Sequence, residues 1–233
     1  MLYILRQNII FKKYNLIGNK IREAVATLIL KLPISVNPNQ ITIVSFIVGI
    51  LSGVSFALSN LFVGVIFYYV SDVLDGADGV IARRTGKVTL YGAYLDSCLD
   101  RYIDTSVLLG ICIYLSYVKY IWVIGILAII GNFMMSYTVH RAEALDKVVL
   151  PPLIPWNRRT RMHIIIVGAV LSLFYTPSLL FYTLIIVALI GNLNAFWAMM
   201  PWMLKDFDSV NERTRKLLPK TSLRKFQRDE DVI

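Results

Sequence analysis

The sequence contains several apolar runs that are long enough to cross a lipid bilayer. Residues 40–59 and 178–201 contain no Lys, Arg, Asp or Glu, and about 20 predominantly apolar residues span the hydrocarbon core as an α-helix. Charged residues make up 17% of the chain, whereas they make up about a quarter of a soluble domain. The sequence therefore predicts an all-α integral membrane protein.

Six transmembrane helices account for the apolar runs and for the turn signals between them. Residue pairs such as Pro38-Asn39 and Thr176-Pro177 interrupt the apolar sequence where a helix would end or begin. The predicted spans are residues 40–59, 61–82, 90–116, 120–141, 162–177 and 178–201.

The regions that flank the spans differ from them in composition. Residues 1–35 carry six Lys or Arg residues interleaved with apolar positions, a pattern that predicts an amphipathic helix lying in the membrane interface. A soluble helix packed on the protein itself is the alternative. Residues 36–203 would form the transmembrane domain. Residues 204–233 would form a polar cytoplasmic tail, to which we assign no chemistry.

Basic residues are concentrated on one side of the predicted membrane domain. They occur in the N-terminal arm, in the connections 83–87 and 141–161 and in the tail, whereas the three opposite loops contain only Lys119. Because cytoplasmic loops carry the excess of Lys and Arg, we expect both termini to be cytoplasmic in a multi-pass protein of the cell membrane. The net charge of +9 would then face anionic lipids or phosphorylated substrates. Basic residues dispersed in this way do not favour nucleic acid as a partner.

Six aspartates interrupt the apolar sequence within 33 residues, three on the second span and three on the third: Asp72, Asp75, Asp78, Asp96, Asp100 and Asp104. Their spacing of three or four residues places each group along one stripe of its helix. The short connection makes the two helices antiparallel neighbours, so the stripes can face each other. An ionised Asp at mid-bilayer costs at least about 2.5–3.5 kcal/mol. Divalent cations such as Mg²⁺, Mn²⁺ or Ca²⁺ prefer carboxylate ligands and offset this cost. Solvated or helix-capping aspartates are the alternative.

Glycines and an arginine accompany the acids. The glycines in or between these two spans are Gly76, Gly79, Gly86 and Gly92. Each weakens a helix by about 1 kcal/mol relative to Ala, so glycine is expected where a ligand or another backbone comes close. Arg83 follows at the end of the second span and can bind a phosphate group through two hydrogen bonds. Metal ions, arginine and an open backbone together favour a substrate that contains pyrophosphate.

Residues 75–100, DGADGVIARRTGKVTLYGAYLDSCLD, match the signature of the CDP-alcohol phosphotransferases. That signature is Asp, two residues, Asp-Gly, two residues, Ala-Arg, eight residues, Gly, three residues, Asp, three residues and Asp. The matching positions are Asp75, Asp78, Gly79, Ala82, Arg83, Gly92, Asp96 and Asp100. With the six spans and the interfacial helix, the resemblance covers most of residues 35–200.

The resemblance implies transfer of a substituted phosphate group from a CDP-alcohol to the hydroxyl group of an acceptor, with release of CMP. The expected donor is CDP-diacylglycerol, CDP-archaeol or CDP-inositol, and the product is a phospholipid or an inositol phosphodiester. By the same resemblance, Mg²⁺ or Mn²⁺, expected as two ions, is held by Asp75, Asp78, Asp96 and Asp100. Asp100 is implied to be the general base as well. The residues implied to bind the nucleotide are Gly79, Ala82, Arg83, Asn39, Thr42 and Thr89.

Two later stretches, SYTVHRAEAL at 136–145 and NRRTRM at 157–162, resemble positions in family members whose acceptor carries a phosphate. Arg141, Arg158 and Arg161 would hold the phosphate of an acceptor such as inositol phosphate or glycerol phosphate. Positive-inside charge alone would also explain these arginines. Asp72 and Asp104 lie outside the signature, and we expect them either to support the metal ligands or to be solvated. A homodimer is compatible with this interpretation.

Two other functions fit part of the pattern. A membrane prenyltransferase also binds a diphosphate through Asp-rich motifs, but it needs a second acidic motif several spans later. Here the second half of the chain contains only Glu143 and Asp146 before Asp206. A divalent cation transporter would explain an Asp-lined site, but its repeats place polar residues in both halves. It would also leave the Gly79, Ala82 and Arg83 pattern unexplained.

Overall fold

The computed structural model describes residues 18–31, 37–144, 152–154 and 156–203, and these contain helices and short connections without a β-strand. The first helix, α1, comprises residues 18–31. The other six are α2 (Pro38–Ala57), α3 (Leu61–Arg84), α4 (Leu90–Tyr114), α5 (Ile121–Ala144), α6 (Arg158–Phe174) and α7 (Ser178–Met203). The all-α prediction is confirmed, and each predicted span corresponds to one of the helices α2–α7, with differences of a few residues at the ends.

Three of these helices are long and apolar enough to cross a membrane, judged by length and composition. Their qualifying segments are Pro38–Ala57, Ile121–Arg141 and Ser178–Met200, in α2, α5 and α7. Helices α3 and α4 contain the aspartates, and α6 begins with basic residues and has 17 residues in all. A membrane protein is therefore supported, and the count of six crossings stays a prediction.

The N-terminal arm is described only in its helical part. Residues 1–17 and 32–35 of the predicted interfacial helix lie outside the described residues, as does the tail 204–233. Helix α1 buries Arg22 and Ala26 and exposes Leu28. Ala26 packs in a small apolar cluster with Ala77 and Ile81 of α3. One face of α1 is thus packed on the protein, which positions it beside the aspartates of α3.

Small residues allow α2 to approach both α3 and α4. A methyl group at Gly53 would overlap Ser106 of α4, and one at Gly110 would overlap the carbonyl oxygen of Gly53. Towards α3, the hydroxyl of Ser45 donates a hydrogen bond of 2.8 Å to the carbonyl oxygen of Ser71. Small residues and short side-chain hydrogen bonds of this kind are typical of contacts between membrane helices.

The arrangement around α2 creates a cleft between α3 and α4. Both helices pack on α2 rather than closely on each other. The turn between them contains Gly86 at φ +67°, a left-handed conformation that glycine adopts without strain. Thr89 then caps α4, because its hydroxyl accepts a hydrogen bond of 3.0 Å from the backbone N–H of Gly92. The aspartates of α3 and α4 therefore face each other across this cleft.

Helix α6 borders the cleft, and its first turn reaches the aspartates of α3 and α4. It packs against α3 and α7, and α7 packs in turn against α5. Asn157 caps its N-terminus, since the Asn157 side chain accepts a hydrogen bond of 2.8 Å from the backbone N–H of Thr160. This cap fixes the residue at which α6 begins, and so places Arg158 and Arg161 in the first turn of the helix.

Candidate active site

Three carboxylates from α3 and α4 converge in the cleft. One oxygen from each of Asp75, Asp96 and Asp100 lies within 4.8 Å of the other two. Asp96 Oδ1 is buried and accepts no hydrogen bond from any residue that the structure describes. Buried polar atoms normally have a partner, and carboxylate oxygens are preferred ligands of Mg²⁺ and Mn²⁺. These residues therefore fit a divalent metal site.

Asp78, the fourth predicted metal ligand, has a different environment. It is buried one turn after Asp75 on α3, and its carboxylate accepts a hydrogen bond from the hydroxyl of Thr42 on α2. Asp78 is not part of the close group of three. Asp78 therefore links the three converging carboxylates to the beginning of α2 through its hydrogen bond with Thr42.

The first turn of α6 inserts Arg158 into the carboxylate group. Its Nη1 lies 2.7 Å from Asp75 Oδ2 and 2.7 Å from Asp100 Oδ1, and its Nε lies 3.7 Å from Asp104 Oδ1. The side chain is 14% exposed. A buried guanidinium at this place offsets the mutual repulsion of the carboxylates. Arg158 was expected near the metal ligands as an acceptor contact, and it touches two of them directly.

Asp104 organises a second buried group, one turn further along α4. It is 4% exposed and accepts hydrogen bonds from Arg161 Nη2 at 2.9 Å, Asn132 Nδ2 at 3.3 Å and the hydroxyl of Tyr68 at 3.3 Å. These partners come from α6, α5 and α3. Asp104 is therefore not solvated: it holds Arg161 in place beside the carboxylate group. Sequence patterns do not reveal Tyr68 and Asn132, because nothing in either helix alone connects them to an aspartate.

Asp72 is also buried and paired, one turn before Asp75. Its carboxylate forms an ion pair with the guanidinium of Arg22 on α1. Arg22 is 5% exposed and Asp72 7%. The alternative of a solvated side chain is therefore wrong for Asp72, as it is for Asp104, because both are buried and paired. The ion pair of Asp72 also ties α1 to α3.

A cavity of about 280 Å³ opens on the α2 side of the cleft. All six residues predicted to bind the nucleotide line it: Asn39, Thr42, Gly79, Ala82, Arg83 and Thr89. Asp78 and Asp96 form part of its wall, and Lys87, which sequence patterns did not single out, adds a positive charge. A methyl group at Gly92 would come within 3.2 Å of Asn39 Oδ1, so glycine at this signature position keeps the cavity open.

A second cavity, of about 390 Å³, lies between α4, α5 and α6. Arg158 and Arg161 line it together with Arg101, and Arg101 Nε is buried without a hydrogen-bond partner among the described residues. Arg141, by contrast, is exposed on α5 and is not among the residues that line this cavity. The structure thus brings together two of the three predicted acceptor arginines and adds Arg101, which follows Asp100 directly in the sequence.

Comparison with known proteins agrees with this geometry. A sequence model of the CDP-alcohol phosphatidyltransferase family matches residues 35–204. The archaetidylinositol phosphate synthase of Pyrococcus horikoshii is 40% identical over 110 residues, which are 47% of this chain and 57% of that protein. The bifunctional IPC transferase and DIPP synthase of Archaeoglobus fulgidus is 36% identical over 163 residues, or 67% of this chain and 32% of that protein. The chain therefore aligns with only a third to somewhat over half of the length of these relatives.

Solved structures share the fold. The phosphatidylinositol phosphate synthase of Mycobacterium tuberculosis, crystallised with CDP-DAG bound, gives a TM-score of 0.68 at 23% identity, covering 78% of this chain and 92% of that chain. The same enzyme in complex with manganese and citrate gives 0.68 at 22% identity, covering 77% and 87%. At this level of identity the similarity establishes the helical fold.

The carboxylate group predicts a measurable affinity for metal ions. Asp75→Asn, Asp96→Asn and Asp100→Asn should each weaken Mn²⁺ binding by about tenfold or more, because each removes one anionic ligand. Isothermal titration of the detergent-purified protein with Mn²⁺ measures this effect. Asp206→Asn, the same change in the polar tail, is the matched control. Equal Mn²⁺ affinity in all four variants would contradict a metal site at the carboxylate group.

Proposed function

Because the chain belongs to the CDP-alcohol phosphatidyltransferase family, we propose that it transfers the substituted phosphate group of a CDP-alcohol to an acceptor hydroxyl group and releases CMP. The observation that carries this proposal is the position of the carboxylates. Asp75, Asp96 and Asp100 converge between a cavity lined by every predicted nucleotide residue and a second cavity lined by arginines.

The cytidine nucleotide of the donor would occupy the 280 Å³ cavity. Arg83 and Lys87 line this cavity and offer positive charge to its phosphates. Asp78 and Asp96 form the inner wall, so the diphosphate would lie against the carboxylates. CDP-DAG in the solved mycobacterial enzyme supports a lipid-linked donor, CDP-diacylglycerol or CDP-archaeol, over CDP-inositol.

Mg²⁺ or Mn²⁺, as two ions, would be held by Asp75, Asp78, Asp96 and Asp100. The bound metal would offset the negative charge of the diphosphate and of the departing CMP. The partnerless Oδ1 of Asp96 supports this assignment, as does the manganese in the related mycobacterial structure.

Asp100 is the proposed general base. Its buried carboxylate lies where α4 passes between the two cavities, and Arg158 at 2.7 Å holds its position. In the reaction, Asp100 accepts the proton of the acceptor hydroxyl group. The acceptor oxygen then forms a bond to phosphorus, and the bond between that phosphorus and the CMP oxygen breaks, so that CMP leaves with the electron pair.

The acceptor would occupy the 390 Å³ cavity as a phosphorylated polyol. The arginines that line this cavity are Arg101, Arg158 and Arg161. Their guanidinium groups can donate hydrogen bonds to the oxygens of one phosphate group. Ser136 and Asn157 also line the cavity and offer hydrogen bonds to hydroxyl groups. The names of the relatives favour inositol phosphate over glycerol phosphate as the acceptor. Arg141 stays a predicted acceptor contact that the described cavity does not include.

Helices α2–α7 would all cross the cell membrane, with α1 in the interface and the active site facing the cytoplasm. Arg83 at the end of α3, Arg141 near the end of α5 and Arg158 at the start of α6 lie at helix ends of the same predicted side. This distribution supports cytoplasmic termini by the positive-inside rule. The family match to residues 35–204 supports a transmembrane domain at 36–203.

Exchange of labelled CMP tests the proposed activity directly. Membranes that contain the protein, CDP-diacylglycerol, inositol phosphate and Mg²⁺ should incorporate labelled CMP into the lipid donor, because the phosphodiester product reacts back with labelled CMP. The same membranes should form a phosphodiester product with inositol phosphate rather than with serine, which carries no phosphate for the arginines. Uptake of Mg²⁺ or Mn²⁺ without turnover of any CDP-linked donor would instead favour a cation transporter.

Asp100→Asn should abolish turnover at saturating Mg²⁺, because an amide does not accept the proton. General-base catalysis typically contributes about 10²–10⁴-fold, so a loss of at least this size is expected in CMP release. Circular dichroism should show an unchanged helical content, and Asp206→Asn is the isosteric control. Wild-type turnover in Asp100→Asn would exclude it as the base.

The two cavities predict opposite kinetic effects for two arginines. Arg161→Ala should raise the KM for inositol phosphate much more than the KM for the CDP donor. Arg83→Ala should raise the KM for the CDP donor much more than the KM for inositol phosphate, because Arg83 lines the nucleotide cavity. Steady-state kinetics with each substrate varied in turn measure both constants. If both variants change both constants equally, the assignment of donor and acceptor to separate cavities is wrong.

A further inference from the structure

Helix α1 places a buried arginine next to the carboxylate group. Arg22 is 5% exposed, and its Nη2 is paired with Asp72. Its Nε and Nη1 are buried and have no hydrogen-bond partner within the described part of the chain. An unsatisfied buried donor destabilises the fold, and the cost is greater when the donor is charged. A buried Nη1 that is left without a partner beside the ion pair indicates that a ligand completes the hydrogen bonding of the guanidinium.

Arg22 lines a third cavity, of about 350 Å³, between α1, α3, α4 and α6. Asp78, Asp96 and Arg83 also line it, and the same three residues line the nucleotide cavity. The two cavities therefore meet at the carboxylates. Arg159 of α6 adds positive charge to the wall. A ligand extending from the nucleotide cavity across the carboxylates would next encounter Arg22.

The surface of α3 is shaped to receive this arginine. A methyl group at Gly76 would overlap Cδ and Nε of Arg22, so glycine leaves the room that the side chain occupies. Asp72, one turn earlier, fixes the guanidinium through the ion pair. Asp72 and Gly76 both lie outside the eight signature positions. Their contacts with Arg22 explain why an aspartate and a glycine occur at these two positions.

We propose that Arg22 binds the second phosphate of the donor, the one that carries the alcohol. This inference rests on the proposed function. With the cytidine monophosphate part in the nucleotide cavity, the second phosphate lies beyond the carboxylates, on the side of the third cavity. The Nη1 group of the guanidinium, which the ion pair of Nη2 with Asp72 leaves free, can donate a charge-assisted hydrogen bond to an oxygen of this phosphate. The ion pair with Asp72 holds the guanidinium in place before the donor arrives, which lowers the entropic cost of binding.

A comparison of CMP with CDP isolates the contact, because CMP lacks the second phosphate. Arg22→Gln should weaken binding of CDP and of CDP-diacylglycerol by about tenfold or more, equivalent to about 1.4 kcal/mol, and leave CMP binding unchanged. Arg22→Lys keeps the positive charge but replaces the separate N–H groups of the guanidinium by one ammonium group, so a smaller loss with the same selectivity is expected. Isothermal titration of the full chain in detergent with Mg²⁺ measures all three ligands.

Arg84→Gln is the matched control. Arg84 Nη1 donates a hydrogen bond of 2.8 Å to Thr27 Oγ1, so this variant also removes a contact of an arginine between α3 and α1. It should leave the affinities for CMP and CDP unchanged. If Arg84→Gln and Arg22→Gln weaken CDP equally, Arg22 merely anchors α1 and the proposal fails.

The remaining outcomes are equally decisive. A loss in Arg22→Gln that is equal for CMP and CDP, or no loss for either, overturns the role of Arg22 while leaving the proposed function intact. If Arg22→Gln does not fold, the selectivity of Arg22→Lys decides in the same way. If the wild-type protein binds neither CMP nor CDP, the proposed function fails and this inference fails with it.

Discussion

The pairing of buried aspartates with arginines is the interaction on which the structure depends. An ionised carboxylate between apolar helices is costly unless it is paired or coordinated. Asp72 is paired with Arg22, Asp104 with Arg161, and Asp75 and Asp100 share Arg158. The arginines come from α1 and α6, which lie before and after α3 and α4 in the sequence. Satisfying the charges therefore also fixes how these helices pack.

The pairing leaves chemically useful atoms without a protein partner. Asp96 Oδ1, Arg22 Nε and Arg101 Nε are buried and accept or donate no hydrogen bond among the described residues. Each belongs to a residue that lines a cavity next to the carboxylates. In the proposed function, a metal ion, the donor phosphate and the acceptor phosphate would complement the charges of these atoms. The same buried charges thus hold the helices together and lie beside three cavities.

The packing of α2 explains why there is room for a substrate at all. Because small residues such as Gly53 and Gly110 bring α2 and α4 into close contact, α4 rests on α2 and leaves a cleft towards α3. Carboxylates that face each other across a cleft can share a ligand, whereas carboxylates on tightly packed helices would be forced into direct repulsion. Gly53 and Gly110 therefore contribute to the site although they do not line its cavities.

The sequence by itself determined the helices, through their apolar length, and the alignment of the aspartates along two helical stripes, through their fixed spacing. These features are local: a helix converts the spacing into one stripe, and a short turn brings the second stripe opposite the first. Only the tertiary structure decided which basic residue meets which aspartate. Arg22 and Asp72 are 50 residues apart, and Arg161 and Asp104 are 57 apart. Arg141 and Arg158 both fit the positive-inside pattern, yet only Arg158 enters the site, because the pairing depends on where helix packing places each charge and not on its position along the chain.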